Sequence, residues 1–467
     1  MAMTRRKFIG ATAVGTLAMA AVRRGVASSE SLPHCPSGKI RVRKIYLAKP
    51  VPTWPTPKLD VPAEIRRVDG EIAKLQGEMP DIEFTGGELF RTTEDLSDNL
   101  KERIGDVDAV LVFNLTSTVG HLVRAVAEVG KPTILFSQPY SGHDWSGVAT
   151  LQEQGNKIEC LATSDWHELV DAMRPIRAIR RMKESRVVYL RNGEANKTYV
   201  GKAKDILGVD IISINEKRLN AAYKAADEKE ARAFADRWIQ GAIQVVEPTR
   251  EEVIKSGRLY LAMRRLLAEE QAQAIAINCL GLFGAGKLPA YPCIGFSQLN
   301  NDLFVGACEA DLDSTLTMLL FRYMVNQPGF ISDPVVDTAT NSVIHAHCVS
   351  ATKMAGPDAP AAPYIIRSHL EDDKGAALQV KMRIGQTITM TRLVGNQLIL
   401  VSTGTITDTP DVDRGCRTKI TTRVADARKI LEGYHHGLHR VIYYGDHVLD
   451  VKRLTRFLPA LKVVEEG

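Results

Sequence analysis

The chain has 467 residues, of which 45% are hydrophobic and 25% are charged, as in an ordinary globular protein. Its formal net charge of +5 comes from the first 27 residues, which hold five bases and no acids. Without them, 55 Lys and Arg face 55 Asp and Glu, so no basic excess remains to bind nucleic acid. The seven cysteines form no CxxC pair, which argues against a zinc knuckle or a disulfide framework.

The N-terminus has the pattern of a twin-arginine export leader. Arg5 and Arg6 precede Lys7-Phe8, and a weakly apolar stretch follows up to a small-residue cleavage site near Ala27. This apolar stretch is too short to span a bilayer, and no later segment is apolar enough, so stable membrane insertion is not expected. We therefore predict residues 1–27 to be a signal peptide and the mature protein to reach the periplasm or the exterior. Because this pathway moves folded chains that often carry cofactors, a metal site is worth seeking.

About 440 mature residues exceed what one core usually supports, so two or three domains are expected. The first prediction is an N-terminal α/β domain over residues 38–180. Apolar strands alternate there with amphipathic helices, a pattern typical of a doubly wound, Rossmann-like parallel sheet. The predicted elements are strand 39–46, helix 63–76, strand 108–113, helix 120–129 and strand 133–137.

A second doubly wound, Rossmann-like domain is predicted over residues 184–344. Its first strands are 186–190 and 209–214, followed by a charged helix around 227–240. A long helix begins at Thr249, where Glu252 stands at the capping-box position. Further apolar strands are predicted at 274–280 and 303–308.

Two carboxylates in this domain are the main catalytic candidates. Glu309 follows strand 303–308, and Asp333 follows an apolar run at 329–332, with helical periodicity over 312–326 between them. This strand–helix–strand order predicts that the two strands run parallel in one sheet, so that both acids reach the same edge, where such sheets bind ligands. They could then bind a divalent cation and exchange protons with a substrate. Alternatively, each acid caps a helix or pairs with an arginine.

The remaining residues, 345–467, are predicted to form a β-barrel-type C-terminal domain. Alternating apolar runs at 377–384, 387–393 and 397–403 are separated by glycines, as in a barrel or sandwich. A helix over 425–434 precedes a cluster of four histidines at 435, 436, 439 and 447. This is the densest group of potential metal ligands in the sequence.

Taken together, these motifs resemble the L-fucose isomerase and L-arabinose isomerase superfamily, most closely the L-fucose isomerase branch. The likeness covers roughly residues 185 to 460 and rests on the spacing of an acidic pair and a histidine motif. Glu309 lies in a Glu-x-Asp motif, and Asp333 follows it after twenty-four positions. His439 precedes Gly445 by six positions, and all three intervals are those of the family. The other matching segments are Pro292-Cys293, Leu299-Asn300-Asn301 and His347-Cys348.

The resemblance implies that Glu309, Asp333 and His439 bind a divalent metal, most often Mn²⁺, and that the two carboxylates are also the acid/base pair. It further implies two doubly wound domains, a C-terminal barrel and a homo-oligomer. The chain departs from the family at Ala310 and Leu438, where members have Asn. These differences leave the sugar undetermined.

Four other side chains are candidates for substrate binding. Asp311 completes the Glu-x-Asp motif, and His347 lies on a predicted strand where it could reach the site. His369 could approach from the barrel, and Trp145 lies in the loop after strand 133–137, where an aromatic ring suits a sugar. Each of these could equally have a structural role. No organic cofactor is expected.

Three functions follow from these residues. The first is a metal-dependent isomerase that interconverts an aldose and a ketose through an enediol. The second is a periplasmic glycoside hydrolase or lyase that uses the paired acids on a glycoside. The third is a non-catalytic sugar-binding protein. Isomerase chemistry ranks first because the matching residues are those of that reaction.

Overall fold

The computed structural model describes residue 32, residues 36–97 and residues 100–467. The predicted leader, 1–27, lies outside the described residues. Within them, no helix combines the length and the apolar character needed to cross a membrane.

The first sheet has five parallel strands in the order β2-β1-β3-β4-β5. Its centre is fully buried because helices cover both faces, which explains the unbroken apolar run of β3. The parallel sheet predicted from the alternation of strands and helices is confirmed. The strands are β1 (Ile40–Leu47), β2 (Ile82–Phe90), β3 (Ala109–Asn114), β4 (Thr133–Phe136) and β5 (Ile158–Leu161); the helices are α1 (Val61–Leu75), α2 (Thr93–Ser97), α3 (Leu100–Gly105), α4 (Gly120–Ala127), α5 (Val148–Glu153) and α6 (His167–Met182).

A second parallel sheet of four strands has the order β10-β9-β6-β7. The predicted capping box at Thr249 is confirmed at the start of the longest helix of this region, α10. The strand predicted over 274–280 ends at Ile277, and a short helix takes over at Cys279. The strands are β6 (Arg186–Leu190), β7 (Asp210–Ile214), β8 (Gln244–Val245), β9 (Ala274–Ile277) and β10 (Val305–Ala307); the helices are α7 (Lys197–Leu207), α8 (Glu216–Ala225), α9 (Glu228–Gly241), α10 (Arg250–Glu270), α11 (Cys279–Gly284), α12 (Cys293–Asn301) and α13 (Leu312–Val325).

The C-terminal region contains a closed six-stranded β-barrel. The ring runs β15-β18-β11-β12-β17-β16 and returns to β15, while β19 adds to β16 in parallel. A small separate sheet joins β14, β13 and β8. The strands are β11 (Phe330–Asp337), β12 (Ser342–His347), β13 (Tyr364–Arg367), β14 (Ala377–Val380), β15 (Thr387–Val394), β16 (Leu398–Asp408), β17 (Thr418–Val424), β18 (Arg440–Tyr444) and β19 (Lys462–Glu465); the helices are α14 (Ala427–Glu432) and α15 (Val448–Phe457).

Helix α13 connects the second sheet to the barrel. It is buried almost all round because it packs against α6 on one side and the barrel strand β15 on another. Phe321 of α13 stacks on Tyr443 of β18 with their ring centroids 4.4 Å apart. The chain that leaves the edge of the second sheet is thus carried directly to the barrel.

One prediction about this region is wrong. The apolar run at 329–332 is not a parallel neighbour of β10 but the start of β11, which pairs antiparallel with β12 and β18 of the barrel. A short apolar run is compatible with either sheet, and the position of α13 decides which one it joins. Asp333 therefore lies within a barrel strand, not after the end of a strand of the second sheet.

Candidate metal centre

Four side chains converge between the second sheet and the barrel: Glu309, Asp333, His347 and His439. Each offers one ligand atom, and these atoms all lie within 4.8 Å of one another. The three residues expected to bind metal are therefore brought together, although the sequence argument had placed Asp333 in the wrong sheet. His347, expected at the substrate, joins them.

Glu309 reaches the cluster through an unusual turn. Strand β10 ends at Ala307, and a single 3-10 turn over Cys308–Ala310 leads into α13. Within this turn Glu309 and Ala310 have φ values of 58° and 52°, in the left-handed region that non-glycine residues seldom adopt. Such backbone strain persists only where the surroundings hold it, and it is concentrated at functional sites.

The other three residues come from neighbouring barrel strands. In the ladder Asp333 of β11 lies opposite Ala346, next to His347 at the end of β12. On its other side, Ser332 pairs with Arg440 of β18, directly after His439. Antiparallel pairing thus sets Asp333 between the two histidines.

The ring nitrogens face the carboxylates across short gaps. His439 Nε2 lies 3.1 Å from Asp333 Oδ1 and 3.5 Å from Glu309 Oε2. His347 Nε2 lies 3.7 Å from Glu309 Oε1 and 3.8 Å from Asp333 Oδ2. The histidine side chains are only 7% and 3% exposed, whereas both carboxylates are about one-third exposed. The acids are therefore open to a ligand, and the histidines form the floor of the site.

Asp311 fixes the orientation of His439. Its Oδ2 lies 2.7 Å from His439 Nδ1 and also accepts a hydrogen bond of 2.6 Å from Arg392. The same carboxylate caps α13 by accepting from the Ser314 backbone N–H. Because a carboxylate can only accept here, Nδ1 carries a proton, and Nε2 is the ring atom that offers a lone pair to the cluster once a cation displaces its own proton. This is the arrangement of a metal-binding histidine with a carboxylate partner.

His347 has the opposite tautomer. Its Nδ1 accepts a hydrogen bond of 2.9 Å from the backbone N–H of Cys348. In the neutral ring the proton must then be on Nε2, which faces Glu309 and Asp333 as a donor. The two buried histidines are thus chemically distinct: His439 is suited to bind metal, and His347 to donate a hydrogen bond.

The pKa values reflect this concentration of charge. The two imidazoles hold the pKa of the Glu309 carboxyl well below its usual range. Burial alone would lower the pKa of His439, but contacts with three carboxylates outweigh burial and raise it to about 11. Burial raises the pKa of Asp311, but His439 and Arg392 outweigh it, so this pKa is also well below its usual range.

The residues present fit a divalent cation. The buried Nε2 atoms of both histidines have no hydrogen-bond partner of suitable geometry. Two carboxylates and one imidazole nitrogen form a mixed oxygen and nitrogen donor set, which such a cation matches. These donors would satisfy a cation at Glu309, Asp333 and His439 without rearranging the fold.

The other predicted substrate residues lie apart from the cluster. Asp311 is partly buried, orients His439 and also lines the cavity beside the cluster, so a contact with substrate stays a prediction. His369 is buried and stacks on Tyr291 with their ring centroids 4.5 Å apart. Trp145 lies beside His143 in the loop after β4 and is 46% exposed. The structure thus brings neither His369 nor Trp145 into the group of four.

Sequence reasoning did not identify Arg392 or the cavity beside the cluster. Arg392 lies 81 residues from Asp311 on β15, so no local pattern connects them. The cavity, of about 920 Å³, lies beyond the carboxyl end of β6 and is lined by Arg191, Asn196, Lys202 and Ala310. Ala310 directly follows Glu309, so this cavity adjoins the turn that carries the metal-site carboxylate.

Distant relatives of this chain are named sulfoquinovose isomerase. The protein of that name from Priestia aryabhattai is 24% identical over 265 residues, 54% of this chain and 57% of its own length. That from Alkalicoccus urumqiensis is 25% identical over 283 residues, 57% of this chain and 61% of its own. The chain therefore spans less than two thirds of the curated relatives it matches.

No family model matches the chain. Among solved structures, a sugar-binding protein of a sugar ABC transporter from Bacillus halodurans covers 64% of this chain and 91% of its own, at 12% identity. Its TM-score is 0.17, too low for a comparison of folds.

Proposed function

We propose that the chain is a divalent-metal-dependent aldose–ketose isomerase that acts on a sugar through an enediol. The observation that carries this proposal is the convergence of Glu309 and Asp333 on His439, whose tautomer Asp311 sets for metal binding. The names of the distant relatives support the same reaction class.

Glu309, Asp333 and His439 would hold the cation, and Mn²⁺ is the proposed metal because carboxylate and imidazole ligands suit it. A bound divalent cation would act as a Lewis acid that polarises the carbonyl of the sugar. His439 is buried, and its partner Asp311 holds the ring in place. The protein thus fixes the donors before a ligand arrives.

The two carboxylates are also proposed to move protons. Aldose–ketose interconversion removes a proton from one carbon and returns one to its neighbour, while a proton passes between the two oxygens. Both carboxylates are about one-third exposed, and the pKa of Glu309 lies well below its usual range, so Glu309 and Asp333 are proposed to exchange protons with a bound sugar.

His347 is proposed to be a hydrogen-bond donor in the same site. With Nδ1 occupied by the Cys348 amide, its Nε2–H points at the two carboxylates. A donor in this position would hold the carboxylates in place and could also stabilise negative charge on a sugar oxygen.

The adjoining cavity is proposed to hold the sugar. In the sheet, Ala307 of β10 is aligned through β9 with Tyr189 of β6. Two positions further along each chain, Glu309 and Arg191 are therefore expected two strand spacings apart, which is roughly 10 Å between backbones. Arg191 and Lys202 line this cavity without an ion-pair partner among the described residues, and Glu194 lies nearby. Two cations in this cavity suit a sugar with an anionic end, such as the sulfonated sugar in the relatives' name.

Neither alternative is favoured. A glycoside hydrolase or lyase would need one carboxyl poised to protonate a leaving group, whereas the histidines lower the pKa of Glu309. A non-catalytic sugar-binding role would not require the paired acids.

The proposal also covers features that follow from the sequence. These are export by the twin-arginine leader to the periplasm or exterior, a homo-oligomer, and two Rossmann-like domains predicted at 38–180 and 184–344 before a C-terminal domain at 345–467. Because β11 and β12 belong to the barrel, the C-terminal domain is now proposed to begin at β11 and the second Rossmann-like domain to end before it.

A conversion assay tests the function. Metal-free protein would be given Mn²⁺, and aldoses with and without a sulfonate group would be analysed for ketose by chromatography. Metal-dependent ketose formation from any of them supports the isomerase, and preference for the sulfonated sugar supports the cavity assignment. Absence of ketose from every sugar, with metal bound, would contradict the proposed reaction.

A further inference from the structure

Cysteines are concentrated around the metal centre. Of the six cysteines in the described part of the chain, five lie in the second sheet's edge helices or in the barrel region beside the site, and four of these are buried. They are Cys279, Cys293, Cys308, Cys348 and Cys416. Two directly adjoin residues of the cluster, since Cys308 precedes Glu309 and Cys348 follows His347. The proposed reaction uses none of these thiols.

One pair is in direct contact. The sulfur atoms of Cys279 and Cys308 lie 2.8 Å apart, and both side chains are almost fully buried. The sheet explains this proximity: Cys279 begins α11 just after β9, and Cys308 follows the adjacent parallel strand β10. Residues at the ends of neighbouring strands have backbones about 5 Å apart, which is within the span that a disulfide bridges.

We propose that Cys279 and Cys308 form a dithiol that closes to a disulfide when the protein meets an oxidising environment. Closure would tie α11 to the turn that carries Glu309. In the reaction the two thiols lose two protons and two electrons to form the S–S bond. A small disulfide such as oxidised glutathione accepts them and is released as two thiols.

The position of this pair gives the bond a consequence for the metal centre. Cys308 directly precedes the left-handed turn at Glu309 and Ala310, and its sulfur contacts Cys279, so the pair lies at the base of this turn. A covalent link at the same place would restrict this turn and close a loop of 29 residues, counted from Cys279 to Cys308. Closing such a loop stabilises the folded state relative to the unfolded chain.

The second pair provides a contrast. Cys348 directly follows β12, and Cys416 lies two residues before the neighbouring barrel strand β17. Cys293 is buried at the start of α12, and among the described residues it forms no hydrogen bond with Cys279 or Cys308. Cys293→Ser is therefore the matched control for the loss of a neighbouring buried thiol.

The test counts free thiols. The full chain is incubated, or unfolded and refolded, with oxidised and reduced glutathione, then alkylated with N-ethylmaleimide in denaturant and weighed by mass spectrometry. For each protein, the number of alkyl groups taken up after oxidation is compared with its own number of cysteines. We expect the wild type and Cys293→Ser to fall short by two more groups than Cys308→Ser does. A peptide that joins residues 266–287 to residues 288–322 should appear in tryptic digests of Cys293→Ser.

Thermal unfolding provides a second readout. Oxidised wild type should melt several degrees above the reduced form, and this difference should be lost in Cys279→Ser and kept in Cys293→Ser. Full alkylation of the oxidised wild type, or equal losses in Cys308→Ser, would overturn the proposal.

Discussion

His439 Nδ1 lies 2.7 Å from Asp311 Oδ2, and this one contact assigns the roles of both residues. It leaves Nε2 directed at Asp333 and Glu309 as the ring atom that can bind a metal, and it uses a carboxylate that sequence analysis had assigned to the substrate. Arg392 holds Asp311 from the other side. The metal site is thus supported by a buried chain of charge-assisted hydrogen bonds.

Replacing Asp311 should weaken metal binding without unfolding the protein. Asp311→Asn keeps a helix cap and a hydrogen-bond acceptor but removes the charge that orients His439 and increases its basicity. We expect Mn²⁺ affinity to fall by about 10- to 100-fold, as is usual for such partners. Asp313→Asn, which alters a neighbouring acid bonded to Tyr199, is the control and should retain most of the affinity. Equal losses in both variants would contradict the assignment.

The two histidines should separate in a metal-binding experiment. His439→Gln removes a proposed ligand and should abolish tight Mn²⁺ binding. His347→Gln removes only a donor, so it should retain the metal and lose roughly 10²-fold in turnover. Titration followed by the paramagnetic resonance of free Mn²⁺ distinguishes them. Loss of metal from both variants would make His347 a ligand as well.

Metal affinity should rise with pH. Contacts with carboxylates raise the pKa of His439 to about 11 in the metal-free protein, so Nε2 is protonated near neutral pH. A cation must displace this proton, so affinity should increase up to tenfold per pH unit between about pH 6 and pH 8. Calorimetry in buffers of different ionisation enthalpy should show close to one proton released. Binding that is independent of pH would contradict this protonation state.

Arg440, the residue after His439, anchors its strand through a buried ion pair. Its side chain bonds Glu466 at 2.6 and 2.8 Å, and both side chains are under 5% exposed. Glu466→Ala leaves a buried charge unpaired and should reduce the free energy of unfolding by about 3–5 kcal/mol. Glu465→Ala breaks only an exposed pair with Lys452 and should cost less than about 1 kcal/mol. Chemical denaturation of metal-free protein measures both, and similar values would refute the role of the buried pair.

Local patterns were sufficient for most elements of the fold. The capping box at Thr249 involves residues three apart, and the central strands β3 and β4 of the first sheet are short, continuously buried runs. The site residues were found by their spacing, but the sheet that holds Asp333 was not. Its placement depends on how α13 packs against the barrel, a contact that a short apolar run does not encode.

Long-range polar pairs were beyond sequence reasoning for the same reason. Asp311 meets Arg392 and His439 from 81 and 128 residues away, and only the folded barrel brings them together. The distinction between the two histidines likewise depends on which group faces each Nδ1. His369 and Trp145 were chosen by residue type, and the structure places both outside the cluster.

The central claim is that Glu309 and its partners carry out enediol chemistry with a divalent metal. The most direct measurement is deuterium uptake from D₂O into a sulfonated aldose, followed by mass spectrometry, with Mn²⁺ and with a chelator. We expect metal-dependent gain of one carbon-bound deuterium, abolished by Glu309→Gln and unchanged by Glu432→Gln, which alters an exposed acid at the end of α14. Uptake that persists in the chelator or in Glu309→Gln, or no uptake by metal-loaded protein with any sugar, would contradict the account.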